Sequence, residues 1–366
     1  MPYQRPLLSK QYLSSEEERD RIFLRADTFY QGHNISFRLN ERIKTIDTAA
    51  SAVTTDSGEI ISYLNLVLTT GSRPRILPVP GGDLKGIHYV RTLDDANAIK
   101  SEIRPGKKLV IIGGSYIGFE VASVAAAAGV SVVVVETEAR ILKRVTTEAM
   151  SRFYHQLHSE RGVEICLNTT VSGFAGSDSV TGVLCADKRI GADMVVVGIG
   201  IMPNIELAKN AGIACDNGVI TDEYCRTSFS NIYAAGDCAN HPNAILGRRM
   251  RLESVPNAME QAKVVAANIV GKGKRYAAVP WFWSDQYEHK LQMVGFAADG
   301  EQQVLRGDWH TRQFAIFYLH SGRLVAVDAV NSPVDFMAGR QLYGRSFDPG
   351  RLAEQKNAIK DCLTDE

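Results

Sequence analysis

The longest weakly charged run of the chain extends from Leu109 to Val135 and carries a single charged side chain, Glu120. Glycines divide it. Leu109–Ile112 is continuously apolar, Gly113 and Gly114 follow at once, and Gly129 separates an Ala-rich stretch from a second apolar run, Ser131–Glu136. A strand covered on both faces of a parallel sheet is apolar at nearly every position, and a helix packed on such a sheet tolerates an Ala-rich surface. The pattern therefore predicts strand, glycine turn, helix over Tyr116–Ala128 and strand, a βαβ unit rather than a membrane span. Further on it predicts a helix from about Thr146 to Glu160 and strands near Val163–Leu167, Gly182–Cys185 and Met194–Gly198. A short strand, Ile232–Ala235, and a helix over roughly Asn257–Val270 extend the same alternation.

Composition narrows the function class. The 366 residues argue for two or three domains at about 150 residues each. Lys plus Arg and Asp plus Glu are both 41, giving zero formal net charge. That balance argues against a nucleic-acid binder and against a polybasic membrane anchor. The six cysteines form no Cys-x-x-Cys, and no leader pattern is present, so a reducing cytoplasm is the expected location.

The βαβ unit carries the best local motif, Gly113-x-Ser115-x-x-Gly118, with Glu136 ending the next strand. In a dinucleotide turn the first glycine makes the bend and the second lets the backbone approach a pyrophosphate. The third lets helix pack on strand, and the helix N-terminus attracts the phosphates. Ser115 stands at the middle glycine position and adds little bulk. An acid at Glu136 suits a ribose 2′-hydroxyl and repels a 2′-phosphate, favouring NADH over NADPH. Tyr116 and Ile117 complete the candidate turn, and Gly198, Gly200 and Pro203 make a second sharp turn at a strand's C-terminal edge. Gly236-Asp237 forms a third glycine site, after Ile232–Ala235.

The string Thr227-x-x-x-x-Ile232-Tyr233-Ala234-Ala235-Gly236-Asp237 resembles the second FAD motif of flavoprotein reductases with two dinucleotide domains. Pro2–Lys10, Leu68–Arg75, Arg251–Ala262, Pro280–Glu288 and Phe317–Phe336 are similar, in order, to the oxygenase-coupled NADH-dependent ferredoxin reductases of the putidaredoxin and rhodocoxin reductase type. The resemblance implies an α/β, glutathione-reductase-like flavoprotein with an added C-terminal α+β domain. It implies a discontinuous FAD domain over 1–104 and 216–277, an NADH domain over 105–215 and a C-terminal domain over 278–366. The implied activity is hydride transfer from NADH to bound FAD, then single electrons to a [2Fe-2S] ferredoxin serving an oxygenase. The implied assembly is a monomer or weak dimer.

Residue by residue, Lys10 matches the lysine beside the flavin's reactive edge, and Glu120 the acid that neighbours it. Arg5, Thr70, Arg73, Asp237 and Val255 match FAD contacts, while Gly113, Ser115, Tyr116, Ile117, Gly118, Glu136 and Gly200 serve NAD. Trp283 is either an aromatic neighbour of the isoalloxazine or a core tryptophan. The helix beginning near Asn257 would direct its dipole at the flavin N1–C2 carbonyl.

The resemblance departs at the start. Members open with a strand, a G-x-G-x-x-G turn, a helix and a second strand, a lead-in of upwards of about 30 residues. None of it precedes MPYQRPLLSK. A chain beginning here should expose apolar edges in its FAD domain and lack the turn for the FAD pyrophosphate. Either Met1 is an internal start of a longer protein, or the product is a truncated, non-catalytic NADH-binding remnant. Other constellations are read as structural. His155 and His158 are expected on a solvated helix face, with no metal ligand cluster. Cys238 and His241 are expected in a loop. Arg248 and Arg249 are expected on the solvated surface, and with Arg251 could steer an acidic ferredoxin. No cysteine lies in the N-terminal region to support dithiol chemistry.

Overall fold

The computed structural model describes residues 1–14 and 19–364. The elements that bear on function are β1 (Leu66–Leu68), β2 (Ile87–His88), α1 (Leu93–Glu102), β3 (Lys108–Ile112), α2 (Tyr116–Ala127), β4 (Ser131–Val135), α3 (Glu148–Glu160), β5 (Glu164–Cys166) and β6 (Met194–Val197). They continue with β7 (Ile232–Ala234), α4 (Val255–Ile269), β8 (Trp281–Gln286), β9 (His289–Gly295), β10 (Gln302–Asp308), β11 (Gln313–His320) and β12 (Arg323–Val330). The sequence-predicted βαβ unit is present within a residue or two at each end. The strand expected from Gly182 starts earlier, at Val180.

The chain divides into two compact units. The first comprises Met1–Phe29, Pro74–Gly200 and Trp283–Glu366; the second comprises Tyr30–Arg73 and Ile201–Phe282. These groupings cut across the segment boundaries expected from the resemblance, and the contacts show why. Lys10 reaches Glu120 on α2, and the Tyr12 hydroxyl donates to Asn97 on α1, so the first residues are bound to the nucleotide sheet.

In the first unit a five-stranded parallel sheet runs in the order β2-β6-β3-β4-β5. Leu109, Val110 and Ile111 of β3 and Met194, Val195 and Val196 of β6 are fully buried, which is what sheet faces covered on both sides require. Thr92 caps α1 through a reciprocal box with Asp95. Ser115 caps α2 by accepting from the Gly118 N–H at 3.3 Å. A second, antiparallel sheet, β8-β9-β12-β11-β10, forms the C-terminal part. Its central strands bury Phe314, Phe317, Tyr318 and Val327.

In the second unit β1 and β7 pair in parallel, Leu66 opposite Ile232 and Leu68 opposite Ala234. Its core gathers Ile46, Leu68, Val219, Ile232 and Ala234. Ile60, Leu64 and Leu39 of this unit lie in the open, Leu64 at 90% exposure. Helix α4 begins at Val255, two residues before the expected start. Pro256 occupies its first turn, where a missing N–H costs nothing.

Among the described residues, no helix is long and apolar enough to cross a membrane.

Candidate active site

The glycine turn links β3 to α2 in the geometry its residue types demand. Gly113 has φ +101, and a Cβ there would lie 2.6 Å from the Gly198 carbonyl oxygen. A Cβ on Gly118 would lie 2.7 Å from the Gly113 carbonyl oxygen. A side chain at either position would force the backbone to shift, so strand, turn and helix pack in contact through bare backbone. Glu136, just past β4, faces the turn. Its Oε2 accepts from the Gly114 N–H at 2.7 Å, and its Oε1 accepts from the Glu138 N–H at 2.9 Å. A carboxylate fixed beside a bare turn and a capped helix N-terminus is suited to a dinucleotide, and the residues present fit that group. Gly200 has φ +102 in the turn after β6. Ile117 is partly exposed. Tyr116 is buried and donates to the Met293 Sδ at 3.0 Å, so its side chain points into the C-terminal sheet and leaves only its backbone at the turn.

Glu120 lies one helical turn deeper on α2 and is buried. Lys10 Nζ stands 2.8 Å from its Oε1, and Lys10 is itself 8% exposed. Ser284 of β8 donates to Oε1 at 2.7 Å, and Ser9 donates to Oε2 at 2.5 Å. Burial pushes the Glu120 carboxyl up, and the Lys10 charge and these hydroxyl donors oppose that rise. Trp283 places its ring centroid 5.9 Å from Lys10 Nζ. The structure therefore gathers Lys10, Glu120 and Trp283, and it adds Ser9 and Ser284, which sequence reasoning missed. Each missed serine is the chain neighbour of a residue already singled out. Arg5 opens the 3-10 turn leading to Lys10 and is exposed.

The second unit holds a separate set. Asp237 accepts from the Ser72 hydroxyl at 2.9 Å. The Gly236 N–H donates to Gln261 Oε1 at 2.7 Å, while Gln261 Nε2 is buried without a hydrogen-bond partner. A buried amide with idle donors beside a positive-φ glycine is the kind of vacancy a polar cofactor group satisfies, and Val255 lies partly exposed on the first turn of α4. These residues fit a flavin. Thr70 donates to the Asn204 carbonyl at 2.7 Å, and Arg73 pairs with Asn204 and Glu206, so both are engaged with the loop after Pro203.

Two structural readings are corrected. His158 is not on a solvated face: it is fully buried, with Nε2 2.8 Å from Gln286 Oε1. The reason is the apolar stripe Met150, Tyr154 and His158 at i, i+4 and i+8. His241 is in a strand, Ala239–Asn243, and buried against Tyr276 rather than in a loop. Arg249 is exposed, as expected, and its guanidinium also donates to the Thr221 and Asn240 carbonyls at 2.9 and 2.8 Å. Arg251 donates to the Asp237 carbonyl and pairs with Glu253.

Residues 1–262 match the family described as pyridine nucleotide-disulphide oxidoreductase. The chain belongs to that family. Residues 281–363 of this oxidoreductase match the reductase C-terminal family. It is 41% identical to putidaredoxin reductase CamA of Pseudomonas putida, over 99% of this chain and 88% of that protein. It is 42% identical to rhodocoxin reductase of Rhodococcus erythropolis, over 93% of this chain and 81% of that protein. The crystal structure of the covalent putidaredoxin reductase–putidaredoxin complex superposes with a TM-score of 0.95 at 41% identity, covering 99% of this chain and 89% of that one. The expected fold class, a two-dinucleotide-domain flavoprotein with a C-terminal reductase domain, is thereby shown. Despite the family's description, all six cysteines are free. Cys238 is buried, with its thiol directed at the Leu68 and Ala235 carbonyls.

Proposed function

We propose that this oxidoreductase takes hydride from NADH onto bound FAD and passes single electrons to a [2Fe-2S] ferredoxin that feeds an oxygenase. The observation that carries the reading is the buried Lys10–Glu120 pair one turn beyond the glycine turn, in a chain similar over nearly its whole length to reductases of this kind. FAD supplies the conversion from a two-electron donor to one-electron acceptors. The chain's own residues do the rest. Gly113, Ser115, Tyr116, Ile117, Gly118 and Gly200 receive the dinucleotide, and Glu136 takes the ribose. Lys10 and Glu120 set opposite fixed charges at the reacting edge, where water is excluded and charges act at full strength. Arg5, Thr70, Arg73, Asp237, Val255 and Trp283 contact FAD, and the α4 N-terminus favours negative charge on it. In this reading 1–104 and 216–277 serve FAD, 105–215 serves NADH, and 278–366 supplies the acceptor surface. Its place is the cytoplasm, where NADH is available and the six free thiols stay reduced.

The test loads the purified chain with FAD under anaerobic conditions and titrates it with NADH. The flavin absorbance should bleach with one equivalent, and oxidised [2Fe-2S] ferredoxin should restore it. Flavin that binds but does not respond to NADH would overturn the proposal.

A further inference from the structure

The hydrogen bonds around Glu120 do not end at its first partners. Ser284 Oγ lies 3.1 Å from Gln286 Nε2, Gln286 Oε1 lies 2.8 Å from His158 Nε2, and His158 Nδ1 lies 3.1 Å from the Tyr287 hydroxyl. Ser284, Gln286 and His158 are each fully buried. The chain connects α2, β8 and α3, all within one compact unit.

Its direction follows from proton counting. A carboxylate only accepts, so the single Ser284 proton goes to Glu120. The Ser284 oxygen must then accept, which turns the Gln286 NH2 toward it and the Gln286 carbonyl toward His158. That carbonyl needs a donor, so His158 carries its proton on Nε2. Burial pushes the His158 imidazole down to about 4, leaving it neutral with a bare Nδ1 that accepts from Tyr287. Every donor therefore points at Glu120. Aligned hydrogen bonds of this kind polarise one another in a low-dielectric interior.

We propose that Tyr287, His158, Gln286 and Ser284 form a one-way donor chain that holds the Glu120 carboxylate charged and oriented toward Lys10, and that these four are positioning residues for that pair. The consequence for turnover rests on the reading above, in which Glu120 acts at the reacting edge. Other groups bear on the chain, among them Asp285, which with Glu120 adds to the rise that burial imposes on Tyr154. Lys10 and Ser9 meet Glu120 directly, and the buried Tyr154 feels its charge. Next to His158 lie His155, whose charge opposes protonation, and the Phe119 ring at 4.4 Å. At the outer end the Arg161 guanidinium lies 4.9 Å from the Tyr287 ring centroid and pairs with Glu288, so the chain runs from the interior to an exposed ion pair.

The proposal is tested by infrared titration of Glu120 in the FAD-loaded chain without NADH, using Glu120→Gln to identify its acid carbonyl band. Ser284→Ala, Gln286→Leu and His158→Leu should move the midpoint of that band upward by about one pH unit or more, a tenfold change in its proton equilibrium. His158→Gln, which keeps an N–H where Nε2 stood, should return the midpoint most of the way to its native value. The alkaline shift should also appear in the pH profile of flavin reduction by NADH. A midpoint unmoved in every folded variant would overturn the proposal, whatever happens to stability. A moved midpoint with an unchanged reduction profile would leave the donor chain standing and refute the placement of Glu120 at the reacting edge. Should His158→Leu not fold, Ser284→Ala decides alone, since it removes the last link by deleting one oxygen.

Discussion

Asp328 on β12 gives the sharpest quantitative test of how the C-terminal sheet is joined to the nucleotide sheet. Its Oδ2 accepts from the Tyr318 hydroxyl at 2.8 Å and from Thr146, just before α3, at 2.9 Å. No cation pairs with it in the structure's ion pairs among the described residues, and burial pushes its carboxyl up from 3.8 to about 6, with the two hydroxyls opposing the rise. Because the folded carboxyl binds its proton more tightly than the unfolded one, the native state holds more protons across this window. Stability contributed by the protonated form is fully present below about pH 4 and is lost as pH rises through about 6. A separation of about two units corresponds to about 3 kcal/mol. Asp328→Asn removes the titration. Its amide oxygen can accept from both hydroxyls, while its NH2 group adds donors without a known acceptor, a pH-independent cost of roughly 1–3 kcal/mol. The offset between the two proteins is therefore uninformative, and the slope decides. Urea unfolding of both, at saturating FAD and at half-unit steps from pH 4.5 to 7.5, should show the Asn protein gaining on the native one by about 2 kcal/mol as pH rises. Parallel stability curves across that range would refute the argument that Asp328 is buried at an energetic cost.

The other predictions concern the turn and the C-terminal segment. Glu136→Ala removes a carboxylate that would lie against a 2′-phosphate; at a few ångströms and partial exposure the repulsion is about 1–3 kcal/mol. The NADH over NADPH ratio of kcat/KM should fall roughly ten- to a hundredfold, and an unchanged ratio removes Glu136 from the ribose site. Gly118→Ala places a Cβ 2.7 Å from the Gly113 carbonyl oxygen and 3.2 Å from Ile111, an overpacking cost of about 1–3 kcal/mol. The protein should fold with a raised KM for NADH, and a native KM would show that the helix can shift freely. Arg306 is buried and donates to the carbonyls of Leu352, Glu354, Gln355 and Asn357 while pairing with Asp335. Arg306→Ala strands those acceptors and should cost about 3–5 kcal/mol. Lys, lacking the planar fork, should not rescue it, and limited proteolysis should then cut selectively after residue 345.

What the sequence made legible was local. The βαβ unit could be read because apolar continuity, two adjacent glycines and a capping serine all act within one stretch of chain, and Glu120 was conspicuous as the lone charge inside it. An isolated charge in a run destined for burial announces that partners exist, since an unpaired buried carboxylate is costly. It does not say which partners. Lys10 came from the resemblance, but Ser284 is 164 positions from Glu120 and Gln286 is 128 from His158, and no periodicity spans such distances. His158 was half legible: its place behind Met150 and Tyr154 marks a core position, yet a histidine's polarity and the nearby His155 favoured a surface reading. Arg306 shows the same limit from the other side. A guanidinium that satisfies backbone carbonyls leaves no pattern among its neighbours in sequence, because the groups it serves are common to every residue. Burial of polar side chains is thus decided by long-range contacts, and those around Glu120 bring Ser9, Lys10 and Ser284 onto the one carboxylate that the apolar run had isolated.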